Sequence, residues 1–293
     1  MKSELKNIEQ AEEYIFNYNW YNARTHNQDE ELLRLKQCEK LAIQHGQNKL
    51  LYKTRAYILG HYTQSNELNK ALDIGNTNYE DCKKNEIYKD ELLSTLSFLI
   101  QLHQILGNYT QSEIYINICK ELALELKDTK KLCNINITAA NQYYYTNDIE
   151  KCTQAHEQSL QYAAQLNDTN ILITIYNNYA YHIVNTDTDK CEALLNQGID
   201  LLLSAEKKIS KNEFLLGHYY LNYAILFEKK EDNEKTIYNA EKAEKLLQNC
   251  NVIDSVLEAK IILSTVYFKQ NQYEKCLQYL NEIEQTAIAT ATN

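Results

Sequence analysis

One phrase recurs along the chain and limits its possible folds more than any other feature. A turn residue is followed by Asp/Glu-Lys and then by a small residue that opens an apolar-periodic run. Examples are NDIEKC at 147–152, DTDKC ending at Cys191, DNEKT ending at Thr236 and QYEKC ending at Cys276. Anchored on the small residue, the phrase falls near Glu31, Ala71, Ser112, Cys152, Cys191, Thr236 and Cys276, at spacings of 40, 41, 40, 39, 45 and 40. Seven such units fill nearly all 293 positions. A fixed period of this size marks a repeat array.

Each unit reads as two helices. In the third, Leu92, Leu93, Leu96, Leu99, Ile100 and His103 mark helix A over 90–106, and Gly107-Asn108 marks a turn. Tyr115, Ile118, Cys119, Leu122 and Leu126 then recur at three and four residues, on one face of helix B over 110–126. Proline is absent and there are six glycines, so little interrupts a helix and no Pro/Gly-rich linker separates domains. The expected fold is all-α: a right-handed superhelical α-solenoid of about seven helix-turn-helix repeats. It forms a single domain over 1–293, with units at 7–47, 48–88, 89–128, 129–167, 168–208, 209–253 and 254–288. A lone helical pair cannot bury its apolar face. Stacked pairs can, and they curve around a concave groove that the A helices line.

The net charge is −10, without a Lys/Arg cluster, which argues against nucleic acid and anionic membrane surfaces as partners. No apolar run approaches the ~20 residues of a membrane span. The N-terminal MKSELKNIEQAEEY has no signal-like apolar region, so the expected location is the cytoplasm. Eight cysteines are then reduced thiols, and no C-x-x-C occurs. Cys152, Cys191 and Cys276 hold the first small position of helix B. Cys38 and Cys119 hold the second, in CEKLAI and CKELAL. Helix packing needs a small apolar side chain there, and cysteine is one. Cys152 and His156 lie four apart on one helical face, but two ligands fall short of the four of a structural zinc site. The seven histidines include no H-E-x-x-H, and the adjacent pairs Glu12-Glu13 and Glu30-Glu31 do not face each other on a helix. This reading contains no catalytic residue, no metal ligand and no cofactor. A Cys/His-dependent enzyme or metal protein is the alternative of a different class.

The unit resembles the tetratricopeptide repeat. Leu59-Gly60, the Gly107-Asn108-Tyr109 turn, Ala71-Leu72, Ala224 with Phe227, and Ala240 with Ala243 fit that pattern over residues 5–288. The family's proline at the unit end is missing, and the period exceeds the common 34. The resemblance implies a non-enzymatic module that binds a peptide or protein segment in its groove. Asn178 in NNYA and Asn222 in LNYA match the position from which the family's asparagines hydrogen-bond a bound backbone, and an amide both donates and accepts. Asn141, Tyr144, Tyr145, His182 and His218 join them as groove residues. Tyr143-Tyr144-Tyr145 cannot all face the core, because consecutive helical side chains diverge. After Asn222 the next A helix offers Glu258, Lys260, Ile261 and Ile262, which is no basic clamp for a C-terminal carboxylate.

Long-unit arrays of this kind precede diguanylate cyclase (GGDEF) or histidine kinase output domains in bacterial signalling proteins. That likeness points to an N-terminal sensory or interaction region. A standalone scaffold or Rap-like peptide-responsive regulator is the alternative. The last helix B carries Tyr273, Cys276, Leu277, Leu280 and Ile283 on one side, and only TAIATATN follows. A C-terminal output domain or a homodimer contact through this last repeat is therefore expected.

Overall fold

The structure, a computed structural model, describes residues 5–18, 28–205, 213–250 and 252–291. They form fourteen α-helices and one 3-10 turn, Glu86–Tyr88, with no strand among the described residues. The helices are α1 (Ile8–Phe16), α2 (Gln28–Gln44), α3 (Asn48–Gln64), α4 (Leu68–Cys82), α5 (Lys89–Ile105), α6 (Tyr109–Glu125) and α7 (Thr129–Tyr145). They continue as α8 (Ile149–Leu166), α9 (Thr169–Ile183), α10 (Thr188–Ala205), α11 (Glu213–Lys229), α12 (Asn233–Asn249), α13 (Ile253–Lys269) and α14 (Tyr273–Ala291). The chain is an all-α helical-repeat solenoid of about seven helix-turn-helix pairs.

The recurring phrase is a helix stop and a helix start packed into a few residues. Asn147 takes a left-handed conformation with φ of 59°, and the Asp148 N–H closes back onto the Tyr143 carbonyl at 2.8 Å. This bond ends α7 in the manner of a Schellman cap. The Asp148 side chain then accepts from the Lys151 N–H at 3.1 Å, capping the start of α8. The same device recurs with Gly107 and Asn108, with Lys127 and Asp128, and with Glu231 and Asp232. Asparagine and glycine suit the left-handed position, and Asn or Asp suits the cap. The small residue that follows faces the core: Ala71, Ser112, Cys152, Cys191 and Thr236 are all fully buried.

The chain divides into two compact units, Met1–Ile135 and Asn136–Asn293. In the first, one buried amide ties three helices together. Asn78 Nδ2 on α4 donates to the Tyr52 carbonyl on α3 and to Thr95 Oγ1 on α5, both at 2.8 Å. Arg55 on α3 reaches Glu39 on α2 at 2.9 Å and Asp81 on α4 at 3.3 Å.

In the second unit, Ile173, Tyr179, Ala180, Leu195, Tyr219 and Leu226 form a core joining α9, α10 and α11. Ala224, Ala240, Ala243, Leu247, Leu263 and Cys276 continue it through α11 to α14. On α14, Tyr273, Leu277, Leu280 and Ile288 are exposed. No helix among the described residues is long and apolar enough to cross a membrane.

Candidate functional site

Within Asn136–Asn293, α7, α9, α11 and α13 are the A helices, and their less buried faces carry most of the polar and aromatic residues singled out in the sequence. The three consecutive tyrosines of α7 fan out: Tyr143 is buried, Tyr144 half-buried and Tyr145 73 % exposed. Tyr144 lies 5.7 Å from Tyr145 and 5.6 Å from Tyr181 on α9, ring centre to ring centre. Asn141 precedes Tyr144 by three residues, and Asn178 precedes Tyr181 by three. Each asparagine therefore shares a helical face with an aromatic ring of this group. Both asparagines are half-buried.

Glu258 of α13 belongs to the same surface. Its charge acts on Tyr181, whose phenol is pushed above the ordinary tyrosine range, first by burial and then by that charge. The Glu258 carboxyl is itself raised by burial, with no cation among the described residues to offset it. Lys260, two residues on, points elsewhere: its ammonium lies 2.7 Å from Glu282 and 3.6 Å from Glu244. The surface thus presents aromatic rings, two amides and one carboxyl that has no counter-ion among the described residues. Tyr181 and Glu258 were not among the groove residues singled out from the sequence. Tyr181 carried a usable signal, since it stands three residues after Asn178.

Three of the singled-out residues lie differently. Asn222 is buried, and its Nδ2 donates to the Asn177 carbonyl at 3.1 Å and to Asn177 Oδ1 at 2.9 Å. It joins α11 to α9, one repeat to the previous one. His218 is half-buried, with its ring edge-on to Phe214 at 4.6 Å. His182 is only 7 % exposed and lies one layer beneath the tyrosines.

That layer holds a second group. His182 Nδ1 lies 2.8 Å from His156 Nε2 and 3.5 Å from Cys152 Sγ. Cys152 and His156 are a turn apart on α8 and His182 is on α9, so two consecutive repeats meet here. Tyr144 stacks on His182 at 4.3 Å and Tyr179 stacks on His156 at 4.6 Å. Burial pushes both imidazoles down, His156 to about 3, with a further push from His182, and His182 to about 4. Both rings are therefore neutral. Burial also pushes the Cys152 thiol up to about 11. One N–H serves the contact between the two rings, and His156 Nδ1 is buried without a partner among the described residues. Leaving such an atom unpaired costs about 1–3 kcal/mol. The two ligands counted in the sequence have become three through the fold.

The other thiols fit the packing reading. Cys38, Cys82, Cys119, Cys133 and Cys191 are buried, and burial pushes Cys38, Cys82 and Cys191 up to about 12.

No protein-family model matches the chain, and no curated protein matches it. Solved structures match it in fold. One is a signal transduction ATPase with numerous domains (STAND) from Pyrococcus horikoshii that carries a tetratricopeptide repeat sensor. The likeness has a TM-score of 0.75 at 14 % identity, over 97 % of this chain and 41 % of that one. Another is the apo form of the quorum sensor NprR from B. thuringiensis, with a TM-score of 0.68 at 13 % identity, over 95 % and 76 %. A third is a Rap protein complexed with Competence and Sporulation Factor, with a TM-score of 0.66 at 13 % identity, over 96 % and 77 %. These are TPR-like helical-repeat proteins. The chain has their fold.

Proposed function

We propose that the chain is a non-enzymatic module that binds a peptide along the A-helix surface of its second unit. The observation that carries this reading is the grouping of Tyr144, Tyr145 and Glu258 around Tyr181, with Asn141 and Asn178 on the helical faces of Tyr144 and Tyr181 and no cation beside the partly buried Glu258 carboxyl among the described residues. A side-chain amide can bond both the N–H and the C=O of an extended backbone. Exposed tyrosine rings give contact area at low entropic cost. A basic side chain or free amino terminus on the peptide would supply the missing countercharge, and a buried charge pair is discriminating because removing either partner leaves the other exposed to an apolar setting.

Proteins of similar fold support this class: a repeat sensor, a quorum sensor, and a Rap protein with a bound factor. They favour a Rap-like, peptide-responsive regulator over the cyclase- or kinase-linked sensory region, and the signalling role belongs to that proposal. Anisotropy measurements on a library of short labelled peptides test it. Binders should be enriched in Lys, Arg or a free amino terminus. Glu258→Lys should weaken them by about 30-fold or more. Binders without a cationic group, unaffected by Glu258→Lys and Tyr181→Ala, would sink the reading.

The same proposal keeps the exposed apolar stripe of α14 as a contact surface for an output domain or a second copy. The expected result with the present chain is a dimer in sedimentation velocity that Leu277→Asp returns to monomer. A monomer at all concentrations removes the second copy.

A further inference from the structure

We propose that Cys152, His156 and His182 form a binding site for one divalent transition-metal ion of the zinc class, held through Sγ, Nε2 and Nδ1. The three ligand atoms all lie within 4.8 Å of one another. Around a tetrahedral zinc ion, bond lengths of about 2.3 Å to sulfur and 2.0–2.1 Å to nitrogen place S and N about 3.5 Å apart and two N atoms about 3.3 Å apart. The Cys152–His182 separation of 3.5 Å already matches. The His156–His182 separation of 2.8 Å has to open by roughly half an ångström. One thiolate with two imidazoles suits zinc-like ions and disfavours calcium and magnesium, which take oxygen ligands.

Packing does not explain the histidine. Four residues after the small position, the other repeats carry Leu35, Gly75, Ile116, Leu195, Ala240 and Leu280, and Leu35, Ile116, Leu195 and Ala240 are fully buried. The slot works as an apolar contact in its neighbours, so His156 introduces two ring nitrogens that helix packing does not need. As a hydrogen-bond network the group is crowded, because Cys152 Sγ and His156 Nε2 both address the single atom His182 Nδ1. As a ligand set it is coherent, because the three inward atoms converge from two helices. An ion here joins α8 to α9 directly beneath Tyr144, whose ring lies on His182. Three protein ligands leave a fourth tetrahedral position for water or another donor.

The protons balance simply. The Cys152 thiol releases its proton to solvent as the Sγ–metal bond forms. Each imidazole binds through a lone pair and keeps its proton on the other nitrogen, Nδ1 in His156 and Nε2 in His182.

Cobalt(II) added to the purified, chelator-treated full chain provides the test. The expected result is one ion per chain, with a thiolate-to-cobalt charge-transfer band and intense visible d–d bands, displaced by zinc. Cys152→Ser should abolish the band and weaken zinc binding by about 100-fold or more. Cys191→Ser, at the same address one repeat later, should leave both unchanged. Zinc should also raise the melting temperature of the parent and not that of Cys152→Ser. The parent's own titration decides the matter if a variant fails to fold. A parent that binds no cobalt, or a band that survives Cys152→Ser, overturns the site.

Discussion

A Gly198→Ala variant is expected to lose about 3 kcal/mol of stability, although alanine is the better helix former. Gly198 lies on α10 against Tyr219 of α11. A Cβ there would overlap the Tyr219 hydroxyl and come 2.7 Å from ring atom Cε1. The Tyr219 ring is fully buried, and its hydroxyl donates to the Ile173 carbonyl on α9 at 2.6 Å. Three helices therefore converge on one phenol. Helix propensity favours alanine by about 1 kcal/mol. Overpacking costs about 1–3 kcal/mol, and displacing a buried hydroxyl from its acceptor adds about 1–3 kcal/mol. The steric and hydrogen-bond terms win. Urea unfolding midpoints measure the loss. Tyr219→Phe alone should cost about 1 kcal/mol. The double variant should lose less than the two single losses together, because removing the hydroxyl relieves the worst overlap, although the ring atoms still crowd the new methyl. A Gly198→Ala protein as stable as the parent would contradict the close approach.

Mild acid is expected to destabilise the second unit by about 3 kcal/mol between pH 7 and pH 5 when a chelator is present. His156 and His182 have folded-state values of about 3 and about 4, below the ordinary 6.5, chiefly because burial penalises the charged rings. The sign follows from proton uptake. As pH falls below 6.5 the unfolded chain binds protons at both rings and the native state does not. Stability is therefore fully present above 6.5 and is lost as pH falls towards the folded values. The groups packed around the pair are Cys152, Tyr144, Tyr179 and Tyr181, with Glu157 and Lys190 beyond the Tyr179 hydroxyl. Burial holds Cys152, Tyr179 and Tyr181 further from ionisation. Urea midpoints across this window should slope downward for the parent and less for His156→Leu, which copies the residue of the next repeat. Equal slopes would mean that the other histidines carry the effect.

Much of this was legible in the sequence because the signals are local. Asn147 stops α7 and Asp148 starts α8 within a few residues, so the turn chemistry is written in the phrase itself. The small position four residues after the cap is buried for the same local reason: it is the first inward-facing place on helix B. Cys152 and His156 were visible as a pair one turn apart.

What joined them was not legible. Successive helical residues point about 100° apart. Which residue of α9 meets α8 therefore depends on the rotation of α9 about its axis, and that rotation is set by the packing of Ile173, Ile175 and Tyr179 in the core. The same uncertainty separates Asn177 from Asn178. The matched words NNYA and LNYA aligned Asn178 with Asn222, yet the Asn222 amide bonds to Asn177. By itself the sequence determined the period, the helix boundaries and the buried small positions, because hydrophobic periodicity and capping act over a few residues. Only the tertiary structure decided that His182 completes a group with Cys152 and His156, and that the Glu258 charge acts on Tyr181. Both depend on how helices from different repeats turn towards one another.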